Sequence, residues 1–142
     1  MYDLTALQER LGYTFQNVQL LETAVTHGSY AVKYGTESFQ RLEFLGDRIV
    51  NLICATWIYE SNPTMREHGM TDLYQQKTSN AALAVVGDRI ELYKYLNIWD
   101  VRPDTAHVAI TASALEAVIA AVYLDSDLLE MAAIVMQNLG MR

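Results

Sequence analysis

An almost uninterrupted apolar segment at residues 105–124 constrains the fold of this chain more than any other feature. The segment is rich in alanine, and Glu116 is its only ionised side chain beyond His107. This pattern predicts an α-helix, and a helix that is apolar on every side is buried on every side. We therefore predict a long helix at the centre of the core.

A second long helix is predicted at residues 37–60. Its apolar residues recur at intervals of three and four and form one stripe, made of Leu42, Leu45, Ile49, Leu52 and Ile53. The helix ends before Asn62-Pro63, because the residue that precedes a proline disfavours helical backbone. We expect this helix to pack against the helix at residues 105–124.

Shorter helices are predicted from residues that cap helices well. Asp3 begins a helix that ends at Leu11-Gly12, Asn17 begins one that runs to about Thr26, Thr71 begins one that runs through Ala84 and is broken by Gly87, and Ser126 begins one that ends at Gly140. Residues 28–36, 61–70 and 97–104 are predicted as loops or connectors, and residues 90–96 as a short helix or turn. Because no segment shows convincing strand-like alternation, we expect an all-α fold.

Composition indicates a single globular domain over residues 1–142. Hydrophobic residues make up 51% of the chain, which is sufficient for a core without disulfides or metals as staples. The only cysteine, Cys54, falls in an apolar helix and is expected to be a buried thiol. We predict no export signal and no apolar run near the ~20 residues of a membrane helix, and hence a soluble, cytoplasmic protein.

The charge of the chain argues against a simple nucleic-acid binder. The formal net charge is −7, and the ten lysines and arginines are scattered along the sequence. Proteins that bind nucleic acid usually present a basic patch. If RNA is the substrate, a divalent cation must therefore neutralise the acidic residues before a phosphate approaches.

Three carboxylates are candidates for holding such a cation. Glu43 and Asp47 are four residues apart and project from one helical face, with Gln40 one turn earlier. Glu116 lies inside the apolar helix, where an unpaired carboxylate costs several kcal/mol. Glu116 is therefore expected to be bound to a metal, hydrogen-bonded, or paired with a lysine or arginine of a neighbouring helix.

Several blocks of the sequence, in order, resemble the endonuclease domain of the ribonuclease III family. The most specific is residues 40–47, QRLEFLGD, which is similar to the family signature. The others are residues 11–15 and 25–30 near the N-terminus, residues 71–84, and residues 114–125, which resemble the second catalytic segment. The chain ends where the double-stranded-RNA-binding domain of many family members begins.

The resemblance implies an all-α helical bundle and a metal-dependent endoribonuclease. Glu43, Asp47 and Glu116 would hold Mg²⁺, or Mn²⁺ as a substitute, and Asp47 and Glu116 would be catalytic. The substrate would be double-stranded RNA, cleaved during RNA processing. The family forms homodimers, and Phe44 stands at the interface position, where it would enter a pocket of the other subunit.

Three positions depart from the family pattern. Gln40 stands where bacterial members usually have glutamate, and a glutamine at this position resembles Dicer-type domains. Ser113 replaces a metal-binding aspartate one turn before Glu116. Arg48 follows the signature aspartate, where the family has a small residue; it either pairs with the carboxylates or adjusts the dimer contact. The alternatives to an active nuclease are therefore a catalytically reduced subunit or structural RNA-binding protein, and a helical interaction module.

The remaining candidates favour structural roles. Ser29 and His27 resemble a nucleophile and its base but lack a clear acid partner. His107 is expected at the surface. Trp57, Trp99 and the nine tyrosines either stack nucleic-acid bases or belong to the core and interfaces.

Overall fold

Eight α-helices and one 3₁₀ helix are present in the computed structural model, which describes residues 2–100 and 103–142, the residues 103–105 as backbone only. The α-helices are α1 (Thr5–Leu11), α2 (Val18–Ala24), α3 (Gly28–Tyr34), α4 (Gln40–Ser61), α5 (Glu67–Thr78), α6 (Asn80–Arg89), α7 (Pro103–Ser126) and α8 (Leu129–Asn138). The 3₁₀ helix spans Leu92–Tyr95. Within these residues the only β-pairing is an isolated bridge between Thr26 and Asn97. The prediction of an all-α fold is confirmed.

Helix α7 is the centre of the core, as the apolar segment predicted. Residues 117–122 have no exposed surface at all, and Ala112, Ala114 and Leu115 are equally buried. Helix α7 packs most extensively against α4, then against α6, α8 and α2. The predicted contact between the two long helices is therefore present, and the other helices surround them.

The prediction that no segment resembles a membrane span was wrong. Residues 106–126 contain an 18-residue window with a mean hydropathy of 1.7, and the segment is long and apolar enough to cross a membrane by length and composition alone. In the structure this segment is most of α7, whose middle is enclosed by other helices. A core helix of a globular protein meets the same criteria, because burial among other helices selects the same residues as burial in lipid.

A glycine allows α4 and α7 to approach each other closely. A Cβ atom at Gly46 would lie 1.8 Å from the backbone oxygen of Glu116, so no other residue fits without movement of a helix. One turn earlier on both helices, the side chains of Glu43 and Ser113 are hydrogen-bonded.

The structure corrects the predicted loop at residues 28–36, most of which is α3. The His27 imidazole caps this helix, because its Nδ1 accepts a hydrogen bond from the backbone N–H of Ser29 at 3.0 Å. Gly35 ends the helix in the left-handed conformation, with φ of 68°. Histidine is not among the residues that usually begin helices, and this accounts for the missed element.

The predicted helix at residues 71–84 is divided into two helices. Helix α5 begins four residues before Thr71. Ser79 has extended backbone and separates α5 from α6. The Ser79 hydroxyl then caps α6 by accepting from the N–H of Ala82 at 3.2 Å. Gly87 does not break α6; it fits against α7, where a Cβ would lie 2.4 Å from the Thr111 side chain.

The other predicted helix ends differ less from the structure. Asn17 caps α2, and Gly12 follows α1 in the left-handed conformation, as predicted. The helix predicted to begin at Ser126 begins instead at Leu129, since Ser126 is the last residue of α7. Of the predicted loop at 97–104, residue 103 onward belongs to α7 and residues 101–102 lie outside the described residues.

Asp125, at the end of α7, fastens the N-terminal part of the chain to the core. Its carboxylate accepts hydrogen bonds from the Tyr13 hydroxyl at 2.7 Å and from the backbone N–H groups of Gln16 and Asn17 at 2.9 and 2.8 Å. Burial and this hydrogen bond raise the pKa of Tyr13 to about 12. The clamp fixes the start of α2 against α7.

The contact at Gly46 generates a prediction about stability. Gly46→Ala is expected to lower the free energy of unfolding by roughly 3 kcal/mol, because backbone atoms of α7 must move to admit a methyl group. Gly28→Ala is a matched control, since a Cβ there meets no atom within 4 Å. Urea denaturation of both variants measures the difference. Equal stability of the two would show that α4 and α7 do not need this close contact.

Candidate functional site

The contact between α4 and α7 brings together the two predicted catalytic segments. Helix α4 contributes Glu43 and Asp47, which are both half-buried, and α7 contributes Ser113 and Glu116. Glu43 lies beside Ser113, and Asp47 lies beside Glu116. We refer to these four side chains as the acidic cluster. They form two pairs on successive helical turns, and each pair has one residue from α4 and one from α7.

Glu116 is the most perturbed ionisable group of the cluster. It is only 6% exposed, and its pKa is raised to about 8. Burial contributes most, followed by a hydrogen bond with Asp47 and by the negative charges of Asp47 and Glu43, while the positive charge of Arg48 opposes the shift. None of the ion pairs among the described residues includes Glu116, so the structure does not provide the salt bridge that was the alternative to a metal.

Ser113 is a hydrogen-bond donor to the cluster. Its hydroxyl donates to Glu43 Oε2 at 2.5 Å, across the contact between the two long helices. This serine therefore faces the carboxylates, as its spacing from Glu116 predicted. An aspartate in its place would accept rather than donate, and it would add a negative charge beside Glu43.

Asp47 is held by its own helix. Arg48 donates to one carboxylate oxygen at 3.0 Å, and the Asn51 side-chain amide lies 3.4 Å from the other. The Arg48 guanidinium also lies 4.0 Å from the centroid of the Phe44 ring. Arg48 thus pairs with a carboxylate of the cluster, which is one of the two roles considered for it, and it also contacts the exposed aromatic ring.

Two residues near the cluster were not predicted. Asn51 is one turn after Asp47 on α4, a spacing that could have identified it. Tyr74 comes from α5, and its pKa is raised by burial first and then by the negative charge of Asp47, with a smaller effect of Glu116. The sequence gives no signal for Tyr74, because only the packing of α5 against α4 brings it close.

The remaining predicted site residues, Gln40 and Phe44, make no described side-chain contact with the carboxylates. Gln40 is exposed at the first position of α4, and none of the described hydrogen bonds connects its side chain to the carboxylates. Phe44 is 64% exposed and points away from the core. In the described part of the chain, no three His, Cys, Asp or Glu side chains are gathered in the arrangement of a formed metal site. The metal centre therefore stays a prediction.

The two histidines of interest have structural roles. His27 caps α3, its ring contacts Phe39 edge to face at 5.8 Å, and burial lowers its pKa. His107 bonds to Asp88 at 2.9 Å and packs on the Tyr93 ring, so it connects the start of α7 to α6. Neither lies against the acidic cluster in any of these contacts.

Comparison with known proteins decides the family. The family model described as Ribonuclease-III-like matches residues 17–141, which include both halves of the acidic cluster. The chain belongs to the ribonuclease-III-like family. The resemblance seen in the sequence blocks is thereby confirmed over most of the chain.

Ribonuclease 3 from several bacteria is similar to this family member. The protein from Clostridium acetobutylicum is 36% identical over 126 residues, which are 86% of this chain and 55% of that protein. The protein from Aquifex aeolicus is 35% identical over 123 residues, which are 87% of this chain and 53% of that protein. The chain therefore spans about half the length of these relatives.

The ribonuclease-III-like fold is also found in solved structures. A structure of the ribonuclease III nuclease domain from Campylobacter jejuni, which concerns flexibility in a region involved in dimer formation, aligns with a TM-score of 0.87. It has 24% sequence identity, and the alignment covers 96% of this chain and 95% of that one. At this identity the likeness establishes the fold alone.

The chemistry of the acidic cluster fits a hard divalent cation. Three carboxylates on two rigidly packed helices offer oxygen ligands, and Mg²⁺ and Mn²⁺ prefer such ligands. Burial first, and then the hydrogen bond with Asp47 and the charges of Asp47 and Glu43, raise the pKa of Glu116, so an ionised Glu116 is unfavourable in this site. A cation would offset this unfavourable charge. Without one, a proton on Glu116 and the hydroxyl of Ser113 are the compensation available within the cluster.

The raised pKa of Glu116 predicts how stability depends on pH in the presence of EDTA. Between about 4.5, the ordinary value, and about 8, the native state keeps a proton that the unfolded state has lost. The free energy of unfolding should therefore fall as the pH rises through this range. Glu116→Gln, which cannot titrate, should flatten the fall and raise stability at pH 8.

A matched control for this prediction is Glu130→Gln, at an exposed glutamate of α8. It should keep the wild-type slope. Denaturation curves at several pH values measure the effect. A Glu116→Gln variant with an unchanged slope would show that Glu116 is ionised in the native state at neutral pH.

Proposed function

We propose that this chain is an endoribonuclease that hydrolyses phosphodiester bonds of double-stranded RNA in RNA processing, with a divalent cation and as a homodimer. The observation that carries the proposal is the placement of Asp47 beside Glu116 where α4 meets α7. This pair lies within the segment that matches the family model. An acidic pair with one buried member lowers stability, and strongly perturbed acidic groups of this kind cluster at active sites.

Glu43, Asp47 and Glu116 are the residues that would hold Mg²⁺ or Mn²⁺, with Gln40 and Ser113 at the edge. The cation would supply a bound water of lowered pKa and would stabilise negative charge on the phosphate oxygens. Asn51 and Arg48 orient Asp47 through their hydrogen bonds. The carboxyl group of Glu116 would lose its proton on becoming a ligand, since metal ligands bind in their deprotonated form.

Ser113 keeps a second candidate function open. With a hydroxyl in place of the family aspartate, the cluster has three carboxylates rather than four, and it would bind a cation more weakly. The alternative is a catalytically reduced member that serves as a partner subunit or as a structural RNA-binding protein. We favour the nuclease, because Glu43, Asp47 and Glu116 are all present and face one contact between helices.

The homodimer is supported by an apolar stripe on the outer face of α4. Phe44, Leu52 and Tyr59 are 64%, 55% and 72% exposed. The prediction that Leu52 belongs to the same stripe as the core-facing residues was wrong in this respect. A cavity of about 590 Å³ adjoins Phe44 and is lined by Leu20, Thr23, Leu42, Leu45 and Leu124 among others. It is large enough to receive a phenylalanine ring from a second copy.

The dimer also bears on how an acidic chain would bind RNA. A net charge of −7 gives little attraction to a phosphate backbone. The cations bound in two acidic clusters would supply positive charge where the strands lie. We further propose a soluble, cytoplasmic protein that folds as one domain, since α7 is enclosed by protein on most sides.

The proposed activity is tested with long double-stranded RNA and purified protein, in Mg²⁺ and separately in Mn²⁺. We expect endonucleolytic fragments with either cation and none in EDTA. Asp47→Asn and Glu116→Gln should each reduce cleavage by at least a hundredfold, because each removes a metal ligand. Glu130→Gln serves as the control. Cleavage that both site variants retain would place the chemistry elsewhere, and its absence in the wild type would favour the reduced subunit.

Ser113→Asp should strengthen the binding of divalent cations and raise cleavage. The added carboxylate would lie on the same helical face as Glu116 and would increase the attraction for Mg²⁺. In EDTA the same variant should be destabilised, because it loses the hydrogen bond that Ser113 donates to Glu43 and adds a fourth carboxylate to the cluster. Thermal melts with EDTA and with millimolar Mg²⁺ should show shifts of opposite sign. Identical melts in both would mean that residue 113 does not face the cation.

Phe44→Glu should convert dimers to monomers. The substitution is tolerated in a single copy because the side chain is exposed, but in a dimer it would bury a charge at a cost of several kcal/mol. Val32→Glu is the control, since Val32 is exposed on α3 away from the stripe. Sedimentation equilibrium distinguishes the species. A wild-type monomer at high micromolar concentration would refute the dimer.

A further inference from the structure

A group of exposed aromatic rings lies on α3 and on the loop that precedes α7. The Tyr30 and Tyr34 rings are 4.4 Å apart between centroids, and the Trp99 ring meets Tyr34 edge to face at 6.0 Å. The Lys33 ammonium lies 4.9 Å from the centroid of the Trp99 ring. Tyr34 and Trp99 are 53% and 46% exposed. We refer to Tyr30, Lys33, Tyr34 and Trp99 as the aromatic patch.

The backbone beneath the patch is held firmly. The N–H of Trp99 donates to Ser29 Oγ at 2.9 Å, and this oxygen lies 2.8 Å from His27 Nδ1. Asn97 exchanges backbone hydrogen bonds with the segment before α3, through its N–H to Val25 at 2.8 Å and through its carbonyl from His27 at 3.0 Å. The rings are thus presented on a fixed support.

Packing of the core does not account for these rings. Trp57, the other tryptophan, packs against the hydrophobic core, whereas Trp99 makes its described ring contacts within the patch. Large rings that are half-exposed and adjacent to one another are costly to leave in water. The patch also carries a lysine on a chain whose net charge is −7. Flat rings can stack on the base of a nucleotide, and a neighbouring cation can attract its phosphate.

We propose that the aromatic patch is a stacking site for an unpaired nucleotide of an RNA ligand. Tyr34 and Trp99 contribute ring surface for the base, and Lys33 contributes a positive charge for the adjoining phosphate. Bases inside a duplex already stack on their neighbours, so the patch selects unpaired segments such as a loop or a single-stranded end. The choice of RNA rests on the proposed function, while the stacking geometry does not.

Fluorescence of Trp99 tests the proposal in EDTA, where cleavage does not occur. In a Trp57→Phe background, Trp99 is the only tryptophan. A single-stranded RNA of about ten nucleotides should quench its emission saturably. Tyr34→Leu should weaken this binding about tenfold, the usual size of a lost base stack, and Lys33→Gln should reduce its salt dependence. Tyr2→Leu and Lys94→Gln, at exposed sites outside the patch, are the controls.

Three results of the RNA-binding measurements would overturn the proposal. The first is that an abasic RNA of the same length quenches Trp99 as much as the single-stranded RNA does. The second is that a blunt duplex binds as tightly as the single-stranded RNA. The third is that Tyr34→Leu leaves the affinity for the single-stranded RNA unchanged. Trp99 emission that depends on protein concentration without RNA would also overturn it, by assigning the patch to contact with a second copy. Anisotropy of a labelled RNA with proteins that retain Trp57 gives the same comparison if Trp57→Phe folds poorly. If these RNA-binding measurements contradict the stacking site while long duplexes are still cleaved, the proposed function is unaffected.

Discussion

The close approach of α4 and α7 at Gly46 is the constraint on which the rest of the structure depends. A backbone oxygen of α7 occupies the space where any side chain of residue 46 would begin. This contact sets the register between the helices, and the register then decides which side chains face each other on the neighbouring turns. Glu43 meets Ser113 and Asp47 meets Glu116 because Gly46 lies between them on α4. The same contact therefore determines both how the two helices pack and which residues of the acidic cluster face each other.

The acidic cluster opposes folding at the position where the helices pack most tightly. A carboxyl group that is 6% exposed, with a pKa near 8, is a group that the protein would bury more easily as a neutral side chain. The surrounding core compensates, because α7 is otherwise apolar and almost wholly enclosed. A strongly buried scaffold allows an unfavourable group to be held in place, and binding a cation would turn this unfavourable charge into an attraction.

The two long helices, and the side chains that share one face of each, could be predicted because these features depend on spacing within one segment. That the two faces meet was implied by the family resemblance and not by spacing. Glu43 and Asp47 are one turn apart, as are Ser113 and Glu116, and a helix fixes such pairs without reference to the rest of the chain. Features that depend on other segments were missed. Tyr74 reaches the site from α5, and Leu52 is apolar yet faces outward. Helix α3 was missed for a different reason, because its cap is a histidine, a residue that seldom begins helices. Periodicity could not distinguish Leu52 from its buried neighbours, since an interface and a core select the same residues.

The clamp at Asp125 has a consequence for how the chain folds during synthesis. Its carboxylate holds Tyr13, Gln16 and Asn17, which are more than a hundred residues earlier in the sequence. A ribosome that has released the N-terminal helices has not yet made the residue that fastens them. These helices must therefore remain undocked until nearly the whole of α7 has emerged, and docking follows as a late, long-range step. A nascent chain stopped before residue 125 would expose the apolar faces of α1 and α2, which would make it a natural client for chaperones.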